Sequence, residues 1–279
     1  MNAAAGSAPG GRLDAALESP VVGMSPWIIF SVVVGPGRYG LAVGLALAVA
    51  VLLVLLGRVL SRGRSVKLLE VADIVFFAVL AAIGTVASAG TLTWLETYAG
   101  ELSNLALVLI AFGSMAAGMP FTLQYARERV GKEYWDSPAF RHANQVITGV
   151  WGLAFLVAAI AGGFGDLVLH NPNNLWTGWV IQIAAIVVAM SFTEWYPRVI
   201  RSRQSDRHPP PVRHLLTPLA ALLIPMGIVT LVFDASASWF GVGLIILGVV
   251  LARAIGKDAE MTRLRAGHSR EKRQGRRLR

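Results

Sequence analysis

The residues of this chain with the means to do chemistry are the ionisable and amide side chains set into long apolar runs. Asp73 stands near the start of one run and Glu194 near the end of another. A carboxyl group at membrane depth is costly, and where one is kept it commonly serves an ion or proton path. Both carboxyls also fall at run boundaries, where they reach water or an arginine such as Arg198 or Arg201, so a purely structural role stands beside the transport role. Gln182, Asn104, Ser114, Thr148 and Ser191 add neutral polar groups in or near the runs. Such groups bridge helices. With Asn144 and Trp151, Gln182 is also a candidate for lining a substrate pocket.

No constellation for covalent or acid–base catalysis accompanies them. His142, His170, His208, His214 and His268 are scattered without HExxH-type spacing, and no carboxylate pair shares one helical face. The glycines lie within apolar runs and form no phosphate-cradling loop, and with no cysteine in the chain there is no thiolate nucleophile or disulfide. The expectation is a non-enzymatic protein with no catalytic residue, no cofactor and no bound metal.

The elements that must position these groups follow from composition. Of 279 residues, 55% are hydrophobic and 15% charged, and mean hydropathy is +0.60, too apolar for an ordinary soluble domain. A hydrocarbon layer of about 30 Å needs about 20 apolar residues in a helix, and lipid offers backbone groups no other partner. Apolar runs at 21–34, 39–60, 71–89, 102–119, 146–163, 175–196, 215–233 and 239–252 predict an all-α transmembrane bundle of eight spans. The first run is short and carries Pro26; in the second, Gly40 and Gly44 make a small-xxx-small pair suited to close helix approach.

Charge placement supports that count. With eight spans and a cytoplasmic N-terminus, 24 of the 25 Lys and Arg residues fall on the cytoplasmic side and Arg38 alone outside. The expected division is a tail over 1–20, a six-span unit over 21–196, a basic linker with two further spans over 197–255, and a basic tail over 256–279. Residues 1–20 lack a charged n-region leading into an apolar core, so they read as a tail and not as a cleaved signal peptide. The last tail carries nine basic and three acidic residues from Lys257 onward, without aromatic interleaving. Anionic lipid is its expected partner, and nucleic acid is not. Trp94, Tyr98, Tyr134, Trp135, Trp176, Trp195, Tyr196 and Trp239 sit near run ends, as an interfacial aromatic belt requires.

The longest polar interruption, 119–152, predicts a cytoplasmic elbow. Phe121, Tyr125 and Val130 recur at helical spacing beside Arg127, Arg129 and Lys132, the pattern of a short interfacial helix. Ser137 or Asp136 is placed to cap the next helix, with Pro138 in its first turn. Tyr125, Trp135 and Arg141 are the candidate contacts of this loop with a protein partner.

The order of elements resembles the intracellular septation protein A family of small inner-membrane proteins. The likeness runs from Met24 to Tyr196: a short first helix, a second span ending in a basic turn, an acidic outer turn, and a fourth span entering Pro120 and Phe121, then Trp135, Asn144, and Trp151 with Phe155. Two extra spans, the basic tail and a longer TLQYARERVGKEYWDSP loop depart from the family pattern. The resemblance implies a multi-pass protein of the cytoplasmic membrane with a non-catalytic role in envelope maintenance or septation, and envelope or division proteins as partners. A small-molecule or ion transporter is the alternative.

Overall fold

Runs this apolar satisfy their backbone groups only within themselves, and the computed structural model is accordingly helical, with no strand among the described residues. It describes residues 20–60, 65–171, 174–204, 208–233, 239, 241–251 and 253. The expected terminal tails, with the lipid contacts assigned to the second, and the basic-turn residues Arg62 and Arg64 lie outside the described residues.

After a single turn at Pro20–Gly23, the helices are α1 (Ser25–Val33), α2 (Tyr39–Leu60), α3 (Leu68–Val86), α4 (Ala89–Thr97), α5 (Ala99–Ala116), α6 (Phe121–Arg129), α7 (Pro138–Leu167), α8 (Ile181–Gln204) and α9 (Arg213–Phe233). A shorter apolar helix, α10, follows at Gly241–Leu251. Six helices are long and apolar enough to cross a membrane, those built on α2, α3, α5, α7, α8 and α9. The chain is a multi-pass helical membrane protein. The first expected span is the turn plus the nine residues of α1, and the last is represented by α10.

Contacts divide the chain into two compact units, 1–186 and 187–279, a boundary that falls within α8. In the first unit α7 is the central helix, with 56% of its apolar window inside the protein. It lies along α5 at close range because both helices offer small residues there. A Cβ at Gly152 would come within 2.8 Å of the Phe112 ring, so only glycine admits that ring. On α2, Ala42, Ala46 and Ala50 form the inward stripe at four-residue steps, while Leu41, Leu45, Leu52 and Leu55 are exposed. Exposed leucines on that scale suit contact with lipid and would be an aggregation liability in water. Gly40 and Gly44, expected to admit a neighbour, face open space; the close approach uses the alanine stripe.

Two ends of the first unit differ chemically. Glu96 bends back over the start of α2 and accepts hydrogen bonds from the Gly37 and Tyr39 amides at 3.2 and 2.9 Å, capping that helix. At the opposite end Gly118, at φ +72°, lets the chain leave α5, and the Phe121 amide donates to Ser114 Oγ at 3.1 Å. Ser137 caps α7 as expected, its Oγ accepting from the Phe140 amide at 3.3 Å with Pro138 following. In the second unit α9 and α10 meet through glycines, a Cβ at Gly227 falling 2.5 Å from the Gly241 carbonyl oxygen.

Candidate functional site

At the Glu96 end of the first unit a cavity of about 530 Å³ opens between α1, α4, α5, α7 and the start of α8. Its polar wall grows out of three local features. The first is the offset between α4 and α5 at Tyr98, which puts Glu101 in the first turn of α5, beside α7. The second is Gly162 on α7: a Cβ there would fall onto Glu101 Oε1, so the missing side chain is what admits the carboxyl. One turn further on, Asp166 presents its own carboxyl to the same cavity. Asp166 Oδ2 is buried and meets no amide or hydroxyl donor.

The third feature is the wide turn Trp176–Val180, a π-helical segment leading into α8. Asn174 Oδ1 holds its start by accepting from the Trp176 and Thr177 amides at 3.0 and 3.2 Å. The wide turn frees the Thr177 carbonyl, which accepts from Gln182 Nε2 at 3.1 Å, and Gln182 Oε1 in turn accepts from Asn104 Nδ2 at 3.1 Å. π-segments inside helices frequently mark functional sites, because the extra residue re-aims side chains. The remaining walls are apolar: Trp27, Ile28 and Val32 on one side, Trp179, Ile183 and Ile186 on the other.

Leu107 and Phe155 close the floor. Beneath them Met24, Leu69, Ile110 and Phe121 complete an apolar layer. Below that layer lies a second polar group. Lys67, wholly buried, places Nζ 2.7 Å from Glu128 Oε2 and 4.1 Å over the Tyr125 ring. Glu70 accepts from the Lys67 amide at 3.1 Å, and Gln124 Oε1 accepts from the Leu68 amide at 2.6 Å. α6 is thereby fixed against the first turn of α3.

Asp73 lies within α3 and is 1% exposed, away from the water or arginine its boundary position suggested. Its Oδ1 accepts from the Trp27 indole N–H at 2.6 Å, so it touches the cavity only through the ring that lines it. Gln182 is in the cavity wall, while Asn144 and Trp151 are buried where α5, α6 and α7 meet. Glu194 belongs to the second unit, with 76% of its side chain exposed and Arg198 at 3.5 Å.

Tyr125 is a correction: at 2% exposure it packs inside the protein under Lys67 and is closed to a partner or headgroup. α6 faces inward because Phe121, Thr122, Leu123 and Tyr125 are all buried against the bundle. Trp135 is half-buried, donating to the Val130 carbonyl at 3.0 Å beneath Arg127, whereas Arg141 is exposed and paired with Asp136 at 2.7 Å.

Sequence reasoning missed Glu101, Asp166 and Trp27 as site residues. A signal existed for the second: Gly162 and Asp166 are four apart, so a gap and a carboxyl share one face of α7. Among the described residues no group of three or more His, Asp or Glu is placed to hold a metal ion.

The Trp27–Asp73 bond has a measurable weight. Trp27→Phe removes the indole donor and leaves a buried carboxyl without it, so unfolding stability should fall by about 1–3 kcal/mol. Trp27→Phe with Asp73→Leu should recover much of that loss, because a buried pair replaced on both sides leaves no orphan. Denaturation of the two variants in detergent measures the difference. Compared with protein-family models, curated proteins and solved structures, the chain matches none of them.

Proposed function

We propose that this multi-pass protein is a permease of the cytoplasmic membrane for a small polar or charged solute. The observation that carries the reading is the cavity itself, about 530 Å³ with one mixed carboxyl–amide wall and two apolar ones, above an apolar floor. Ligand sites of small molecules have this size and lining. A cavity that ends on an apolar floor is also the resting geometry expected of alternating access.

Orientation follows from charge. Arg58, Lys67, Arg127, Arg129, Lys132 and Arg141 gather at the end away from the cavity, which makes that end cytoplasmic and turns the cavity mouth outward. On this reading α1 with its preceding turn and α10 complete eight crossings, and both termini are cytoplasmic.

A cysteine-free chain makes the test clean. Thr97→Cys, at the cavity lining, is reconstituted in liposomes and screened for flux of radiolabelled cationic, zwitterionic and neutral solutes. Flux above that of empty liposomes, lost when a bulky thiol reagent is attached, supports a permease. No flux in any class sinks it.

The alternative, a non-catalytic role in envelope maintenance or septation, is favoured by one observation. Of the six residues that carry the family resemblance, Pro120, Phe121, Asn144, Trp151 and Phe155 are buried where α5, α6 and α7 meet, and Trp135 is half-buried. The likeness is therefore one of packing around the elbow. Deletion of the gene should then misplace septa or lengthen cells, and unchanged septum placement and envelope integrity under osmotic stress would remove this reading.

A further inference from the structure

We propose that the cavity binds a primary amine in its ammonium form, carried on a small apolar body, and that Glu101, Asp166 and Asn104 hold the ammonium group. The inference rests on the permease reading of the same cavity and adds the class of ligand.

A backbone group fixes the direction of the amide pair. The Thr177 carbonyl can only accept, so Gln182 must present Nε2 to it, at 3.1 Å, and turn Oε1 toward Asn104. Asn104 must then present Nδ2, also at 3.1 Å. Its carbonyl oxygen Oδ1 ends this chain of bonds and accepts none from a described residue. Asn104 is 8% exposed and lines the cavity, so a nearly buried acceptor is left there for a donor the protein does not supply.

The hydroxyls of the same wall have spent their protons. Thr93, Thr97 and Ser103 line the cavity and donate to carbonyls of their own helices, those of Ala89, Thr93 and Ala99, at 3.0, 2.9 and 2.8 Å. What remains of them for a ligand is oxygen lone pairs.

The carboxyl groups add acceptors and set the sign. A Cβ at Gly162 would fall onto Glu101 Oε1 and come within 3.2 Å of Gln182 Nε2, so carboxyl and amide share one gap over α7. Asp166 lines the same cavity with a buried Oδ2 that meets no amide or hydroxyl donor. Glu96 is committed to the α2 amides, and no Lys or Arg is in the lining. A wall of acceptors with carboxyl groups and no basic side chain selects a ligand that donates and is positive. A primary ammonium has three donors and no acceptor, one donor for each of Glu101, Asp166 and Asn104.

The rest of the ligand meets apolar surface. Trp179, 45% exposed, stands with Ile183 and Ile186 on one side, and Ile28 and Val32 stand on the other. These walls suit an aliphatic or aryl body of drug-like size.

Phenethylamine, protonated at neutral pH, is the probe, applied to the purified full-length chain in detergent. Equilibrium dialysis should show saturable binding. Its trimethylated derivative keeps the charge and the ring but has no N–H, so it should bind at least about 100-fold more weakly, the buried acceptors staying unfilled. Phenylethanol, without the charge, should bind more weakly than the amine, and phenylpropionate, of opposite charge, should not compete.

Asn104→Leu should weaken the amine at least about tenfold and leave the trimethylated derivative unchanged, a selective loss that misfolding would not give. Glu101→Gln should also weaken the amine, with Asp166→Asn as the second variant where the first does not fold. Glu194→Gln should match the parent protein. Equal binding of the amine and its trimethylated derivative, competition by phenylpropionate, or unchanged amine binding in the Asn104 and both carboxyl variants overturns the proposal. No amine binding in a protein that still carries flux of another solute through the Thr97-lined cavity rejects the amine and leaves the permease reading. Loss of both rejects the two together.

Discussion

Gly162→Leu should abolish solute binding and flux while leaving the bundle folded. A Cβ at this position already meets Glu101 Oε1 and comes within 3.2 Å of Gln182 Nε2, so a leucine displaces both the carboxyl pair and the amide pair. The protein itself has reason to tolerate the change. Leucine is a better helix former than glycine by nearly 1 kcal/mol, and the groups it displaces, Glu101 and Gln182, border about 530 Å³ of open space into which they can move. A loss of binding beyond about 100-fold, with an unchanged melting transition, is the expected pair of results. Gly163 supplies the control, because a Cβ there meets nothing within 4 Å. Gly163→Leu should bind and transport as the parent does. Parent-like binding by Gly162→Leu would mean that the solute does not use this cavity.

Glu128→Leu should be the most destabilising single change at the opposite end. Lys67 is wholly buried, and its ion-pair partner at 2.7 Å is the Glu128 carboxylate, itself only 19% exposed. Removing one member of a buried pair typically costs 3–5 kcal/mol. The Tyr125 ring at 4.1 Å offsets part of this, but a desolvated cation–π contact contributes only about 2 kcal/mol. Replacing both charges, Lys67→Met with Glu128→Leu, should cost less than Glu128→Leu alone, since apolar residues of similar volume remove the pair from both sides. Chemical denaturation of the three variants gives the comparison. A change within about 0.5 kcal/mol for Glu128→Leu would show that α6 is held by its apolar face alone.

That clamp matters to function because Phe121, one turn before Tyr125 on α6, belongs to the apolar layer beneath the cavity. An α6 released from α3 would uncover the layer from the Lys67 end. The buried ion pair therefore acts as the latch of the closed end in the permease account.

The helical class of the chain is written in its apolar runs, because lipid leaves the backbone no alternative to helix. The run 39–60 coincides with α2, and the Ser137–Pro138 start of α7 is visible as an N-cap followed by proline. The site was hidden by a difference of about one helical turn. Counting apolar residues starts the fourth span at 102 and ends the fifth at 163, whereas α5 begins at Ala99 and α7 continues to Leu167. Glu101 and Asp166 therefore read as loop acids, although the helices carry both into the lining of one cavity.

Asp73 was legible as an ionisable group in a span but not as a buried one, since its donor, Trp27, is 46 residues away in the chain. α6 was misread for a different reason. Arg127 and Arg129 at its end suggested headgroups, while the burial of Tyr125 depends on Lys67 and α3, which periodicity within α6 does not encode.

The central claim is that one cavity is reached alternately from the two sides of the membrane. Leu107 lies on its floor and is 5% exposed, and the chain has no cysteine of its own, so a Leu107→Cys variant gives a single reporter. In oriented vesicles a membrane-impermeant thiol reagent should modify it from the outer side at rest. During turnover, with solute supplied, it should also become reactive from the cytoplasmic side. Modification from neither side, or from the outer side alone under every solute gradient, would contradict the account.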